Sequence, residues 1–185
     1  STTLRRIEHM DYRIDNLQKE IYVPMNYIPS LTKQHKYALP GLYPYQANLS
    51  GEIGGQIDLF YMIKGKWLGK YPLKVALNGS HYRSLGRNPM RTMPLFGEGG
   101  ESLLSEMAIE VGKKFSRSLE INAGLYHQQL RYEGQNRGSF AQVIDVLWRI
   151  SRKYSLRTEL QHMKTEMKEK GWLYGCLLYT SPSPR

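Results

Sequence analysis

Strict alternation of polar and apolar residues is the feature that most constrains how this chain can fold. Between Glu101 and Met163 the stretches SLLSEMAIEVG, LEINAGLYHQQ, VIDVLWRI and LRTELQHM all alternate in this way. Polar segments such as KKFSRS and SRKYS separate them. A period of two indicates β-strands with one apolar and one polar face. No apolar run approaches the roughly 20 residues that a membrane-spanning helix needs.

The pattern predicts an all-β fold, an antiparallel up-and-down meander of about eight strands that forms part of a transmembrane β-barrel. Further strands are predicted at about Thr2–Arg13, Gly51–Ile63 and Tyr71–Tyr82, and Trp172 begins the last one. The first strand is ambiguous, because the apolar residues of that region also fit the spacing of a helical stripe.

The connections are expected to alternate in length. Short turns are predicted near residues 64–70, 113–118 and 151–155, and longer loops near residues 14–47, 84–101, 132–140 and 164–171. Outer-membrane barrels combine short periplasmic turns with long outer loops. The longest loop, residues 15–47, is rich in Tyr and Pro, so we expect it to be ordered and to fold over the outer mouth or into the lumen.

Alternation alone fits both a soluble barrel, with the apolar face inside, and a membrane barrel, with that face in lipid. Aromatic residues beside the short turns and charges of both signs on the polar face favour the membrane barrel. The lumen-facing polar candidates are Gln56, Asp58, Lys74, Asn78, Glu106, Glu110, Glu120, Asn122, Asp145, Arg149, Arg157 and Glu159. The lipid-facing candidates are Ile57, Leu59, Leu73, Val75, Ile109, Val111, Ile121, Leu125, Val146, Trp148 and Leu160.

Composition narrows the expected partners. The formal net charge is +10, and many of the basic residues lie at the short turns. We interpret them as solvating the turns and attracting anionic headgroups, at about 1 kcal/mol per residue. Outer-membrane lipid is therefore the predicted partner, and nucleic acid is not, because stacking aromatics do not share a face with these charges.

The sequence predicts no catalytic, cofactor-binding or metal-ligating set. His81, His127 and His162 share the parity of the lipid-facing residues and lie on strands separated by intervening ones, too far apart to share a metal ion. The glycine-rich stretch from Phe96 to Glu101 lacks the Lys and Ser/Thr of a phosphate-binding loop.

Two segments resemble a known family. NYIPSLTKQHKYALPGLYPYQ (Asn26–Gln46) and VLWRISRKYSLRTELQHMKTEMKEKGW (Val146–Trp172) are similar to uncharacterised outer-membrane β-barrel proteins of Bacteroidota-type bacteria. The resemblance implies a bacterial outer-membrane location and an internal portion of a larger barrel. It implies no activity, ligand or catalytic residue.

The final ten residues, CLLYTSPSPR (Cys176–Arg185), resemble a translated sequencing adaptor. Residues 1–175 are therefore expected to be a barrel fragment, and residues 176–185 a non-native tail that should be excluded from fold reasoning. The only Cys, Cys176, lies in this tail.

The expected function is a non-enzymatic, porin-like or structural outer-membrane barrel. Two alternatives remain open: a barrel whose outer loops form a ligand-binding or enzymatic site, and a soluble β-barrel that acts as a binding module.

Overall fold

A computed structural model describes residues 1–8, 10, 28–49, 51–85, 100–132, 134–151, 153–166 and 169–180. In these residues, eight strands form one antiparallel sheet in which each strand pairs with the next along the chain. The strands are β1 (Thr2–Glu8), β2 (Gly51–Ile63), β3 (Leu73–Ser84), β4 (Ser102–Lys114), β5 (Leu119–Tyr132), β6 (Gln135–Arg149), β7 (Tyr154–Thr165) and β8 (Lys170–Thr180).

The all-β meander predicted from the alternation is confirmed. A short 3-10 helix, Lys66–Leu68, lies between β2 and β3. No helix in the described part of the chain has the length and hydropathy of a membrane span. The sheet is open, since β1 and β8 are the two ends of the strand order and do not pair with each other in the described residues. The first strand is confirmed over Thr2–Glu8, and the remainder of its predicted range lies mostly outside the described residues.

The predicted alternation of short and long connections is wrong in the second half of the sheet. Tyr132 at the end of β5 pairs directly with Gln135 at the start of β6, and Gly134 has the positive φ of 77° that such a tight turn requires. Likewise, β7 ends at Thr165 and β8 begins at Lys170, so the connection between them is also a short turn. The polar residues beyond Arg131 were misleading because backbone pairing at the end of a hairpin needs no apolar face.

The strands are long. β2 to β8 contain between 11 and 15 residues each. A tilted strand needs about 9–11 residues to cross a bilayer, so these seven are long enough to do so. β1, with 7 residues, is shorter.

Residues 28–49, called the strap below, lie across one face of the sheet. Tyr37 packs with Ala108, Tyr126 and Val143 from β4, β5 and β6 in one buried cluster. Tyr45 packs with Tyr82, Leu104 and Leu130 in a second cluster, and its ring stacks on that of Tyr82 at 5.5 Å. The buried core of the described residues therefore lies between the strap and the sheet rather than between two sheets.

Candidate functional site: the polar face and its strap

Strand register assigns each predicted residue to a face, because side chains of directly paired residues project from the same side of the sheet. Asn122 pairs with Asp145, which pairs with Glu159, and Asn78 pairs with Asp58. Extending these pairings places all the polar candidates on one face, called the polar face, and all the lipid-facing candidates on the other, called the apolar face. Whether these faces meet a lumen and lipid stays a prediction.

The apolar face is uncovered in the described residues. In its middle, Leu125, Ile144 and Leu160 are 46%, 50% and 40% exposed. Aromatic residues lie near both ends of the strands: Phe115, Trp148 and Tyr154 near one end, and Phe140 and Trp172 near the other. The result is a mainly aliphatic band with aromatic residues along both of its borders, although Gln142 and Tyr174 also lie between them.

The strap lies on the polar face. Its side chains approach three carboxylates: Lys33 Nζ is 2.7 Å from Glu110 Oε1, and His35 Nε2 is 2.5 Å from Glu106 Oε1. The third contact joins Lys36 Nζ to Asp145 Oδ2 at 3.2 Å. Positive groups of the strap thus match negative groups of β4 and β6.

Asp145 is the centre of this arrangement and is only 2% exposed. Arg157, on the neighbouring strand β7, donates from Nε to Oδ1 and from Nη2 to Oδ2, both at 2.8 Å. Bidentate pairing of this kind is among the stronger charge-assisted contacts in proteins. The hydroxyl of Tyr37 also donates to Asp145 Oδ2, at 3.2 Å. Burial and the adjacent Asp145 charge raise the pKa of Tyr37, so its hydroxyl keeps the proton that it donates.

Glu52 forms a second anchor near the other end of the strap. Its buried carboxylate accepts hydrogen bonds from the Tyr45 hydroxyl at 2.5 Å and from the backbone amide of Asn48 at 2.7 Å. It also contacts Arg5 on β1. Burial and the hydrogen bond to Glu52 raise the pKa of Tyr45, which therefore remains a donor. The strap is therefore attached to the polar face at two separate strands, β6 and β2.

Polar side chains outside the predicted set hold the strap backbone. Gln161 Oε1 accepts from the Leu39 amide at 2.8 Å, and Gln128 Nε2 donates to the Tyr43 carbonyl at 3.0 Å. Neither glutamine is among the lumen-facing polar candidates, although the alternation of the sequence places both on the polar side of their strands. Strand parity alone was therefore sufficient to place both glutamines on the polar face.

A cavity of about 500 Å³ lies between the strap and the part of the sheet nearest the β2–β3 and β4–β5 turns. Lys74, Glu120 and Asn122 line it together with Phe60 and Met62. Phe60 lies on the polar face and is 79% exposed, which strict alternation did not predict. The lining offers hydrogen bonds, charges of both signs and an apolar surface to a small molecule.

The three histidines of the sheet lie on separate strands. No group of three His, Cys, Asp or Glu side chains in the described residues could hold a metal ion. His81, His127 and His162 lie on the apolar face of β3, β5 and β7, with other strands between them. The His162 ring instead contacts the Trp172 ring, with centroids 4.2 Å apart.

A family model, described as Family of unknown function (DUF6029), matches residues 1–183. The chain belongs to this family. The DUF6029 match spans all eight strands and the strap, so the sheet and its polar-face cover belong to one family unit. The search of curated proteins and the search of solved structures gave no match to the chain.

Proposed function

We propose that this chain forms part of an integral outer-membrane β-barrel of Bacteroidota-type bacteria. In this proposal the apolar face contacts lipid, and the polar face surrounds an interior occupied by the strap. The observation that carries the proposal is the exposure of aliphatic side chains in the middle of long strands while Asp145, on the opposite face, is buried. A sheet in water would place its faces the other way round.

The aromatic borders support the same proposal. Membrane barrels carry an apolar band about 25 Å tall, with aromatic residues at both lipid–water interfaces. Phe140 and Trp148 lie on the apolar face of one strand, about 27 Å apart at about 3.4 Å per residue. With the usual strand tilt of about 40° the vertical separation is about 20 Å, close to the height of such a band.

Lipid cannot satisfy the hydrogen bonds of a free strand edge, so the open sheet must be closed in the membrane. We propose that further strands of a larger barrel pair with β1 and β8. The role assigned is non-enzymatic, a pore or a structural barrel, because within the described residues the polar face presents a network of paired charges rather than a nucleophile beside a base.

A binding role is the second candidate, favoured by the 500 Å³ cavity next to the strap. It predicts saturable binding of a small polar molecule that Lys74→Ala and Glu120→Ala weaken. A soluble β-barrel that acts as a binding module remains the third possibility. It predicts that the protein stays monomeric in buffer without detergent.

Location can be tested on the protein expressed from its complete gene. Membranes of the source bacterium are separated on a sucrose gradient and then washed with alkaline carbonate. An outer-membrane barrel remains in the outer-membrane fraction and migrates faster on an SDS gel when it has not been boiled. Release by carbonate, or recovery in the soluble fraction, would refute the proposal.

We also propose that residues 176–185 are adaptor-derived. β8 continues through Cys176 to Thr180, as an apolar run beside a strand edge would do whether or not it is native. The family match extends to residue 183 and so includes most of this tail. Amplifying the locus from source DNA across the Gly175 codon tests the proposal, and recovery of the CLLYTSPSPR codons from the genome would refute it.

A further inference from the structure

We infer that strap residues Lys33 to Lys36 form a releasable ionic latch, and that their release opens a passage for small cations along the polar face. The inference rests on the proposed barrel. It adds a gate and a solute class that the barrel proposal does not itself require.

The two ends of the strap are held differently. Near residue 45 the attachment is buried, because Glu52 is fully buried and receives the Tyr45 hydroxyl and the Asn48 amide. At the latch, the Lys36 side chain is 56% exposed and that of Glu110 is 33% exposed, whereas Lys33 is 16% exposed and the His35 and Glu106 side chains are more buried. Exposed ion pairs are weak and are screened by salt, so the Lys36–Asp145 and Lys33–Glu110 pairs are the contacts of the strap that salt weakens most.

The sheet keeps partners for its charges when the latch leaves. Asp145 retains its bidentate contact with Arg157. Glu110 retains the hydroxyl of Tyr126, which donates to it at 2.7 Å. Leaving a buried charge without a partner would be costly, and these contacts within the sheet avoid that cost for two of the three acceptors. The polar face can therefore exist in both a covered and an uncovered state.

The charge beneath the latch indicates which solutes would pass. In the middle of the polar face, β4 to β7 contribute the carboxylates of Glu106, Glu110, Asp145 and Glu159, and the guanidinium of Arg157. With the latch in place, Lys33 and Lys36 compensate this excess of negative charge. Without it, the passage is negatively charged, and rings of carboxylates favour cations.

The test is planar-bilayer conductance of the protein expressed from its complete gene. The Lys33→Ala/Lys36→Ala variant should raise the open probability at 0.1 M KCl at least about fivefold, the scale of losing partly exposed ion pairs. Its reversal potential in a KCl gradient should indicate cation selectivity. The matched control, Lys64→Ala/Lys153→Ala, removes the same charge at the short turns and should behave like the wild-type protein.

Two further measurements keep the test decisive. The charge-swapped variant Lys33→Glu/Glu110→Lys should restore the low open probability that either single change raises. Trypsin cleavage after Lys33 or Lys36 in detergent should also be faster in the wild-type protein at 1 M KCl than at 0.1 M, because the screening length falls from about 10 Å to about 3 Å.

The possible failures are distinguishable. If no variant inserts into the bilayer or sediments with vesicles, the barrel proposal falls and the gate falls with it. If the variants insert but the latch variant conducts like its control, and trypsin cleavage of the wild-type protein after Lys33 and Lys36 does not change with salt, the latch is refuted while the barrel stands. An anion-selective current would refute the assigned solute class.

Discussion

Ile144→Arg distinguishes lipid from water on the apolar face with a single substitution. Ile144 lies midway between Phe140 and Trp148 on β6 and is 50% exposed. At the middle of a bilayer, an arginine on the lipid-facing side of a barrel costs about 2–4 kcal/mol. At 1.4 kcal/mol per factor of ten, the equilibrium constant for folding falls about 30- to 700-fold. In water, the same exchange at an exposed site changes stability by no more than about 0.5 kcal/mol.

Ile150→Arg is the matched control. Ile150 is 54% exposed, nearly the same as Ile144, but it follows the end of β6, about 20 Å farther along the chain at about 3.4 Å per residue. Near the interface the cost of arginine falls to about 0–1 kcal/mol. The assay is urea unfolding of the protein from phosphatidylcholine vesicles, followed by gel mobility without boiling. Equal effects of the two substitutions, within about 0.5 kcal/mol, would refute a lipid-facing band.

Two more predictions concern the polar face. Tyr45→Phe removes a donor from the buried Glu52 carboxylate, so urea unfolding should show a loss of about 1–3 kcal/mol, and a loss below about 0.5 kcal/mol would contradict the anchor. Gly124→Ala would place a Cβ 2.7 Å from the Tyr126 ring, so it should lower the free energy of unfolding by about 1–3 kcal/mol in the same assay. The control Gly171→Ala, which has open space around its Cβ, should lower it clearly less. Equal losses would contradict the close approach of Gly124 to Tyr126.

The sequence was sufficient for the sheet and for its two faces, because alternation is a local property that pairing preserves. Gly51–Ile63 matches β2 at both ends. The short hairpin between Tyr132 and Gln135 could not be read in the same way, because its flanking polar residues look alike in a loop and in a strand beyond the apolar band. Phe60 breaks the alternation because it is an apolar residue on the polar face, where it lines the cavity. Its position there could not be predicted, because the alternation of the sequence does not show where a cavity forms.

The strap contacts were only partly predictable. Tyr content indicated an ordered loop, and residues 28–47 of that loop do pack on the sheet, while residues 15–27 lie outside the described residues. Which charges meet could not be deduced, because the Lys36–Asp145 contact joins residues more than a hundred positions apart. Such a pairing depends on how a long connection crosses the sheet, and local sequence carries no record of that path.

Spin-label accessibility tests the central claim most directly. In a background without other cysteines, single labelled cysteines replace Leu125 and Ile144 on the apolar face and Lys74 in the polar-face cavity. The protein is reconstituted in vesicles and exposed to oxygen, which concentrates in lipid, and to a water-soluble nickel chelate. The account predicts that the labels at Leu125 and Ile144 collide mainly with oxygen and the label at Lys74 mainly with nickel. Nickel accessibility at Leu125 and Ile144 equal to that at Lys74 would contradict it.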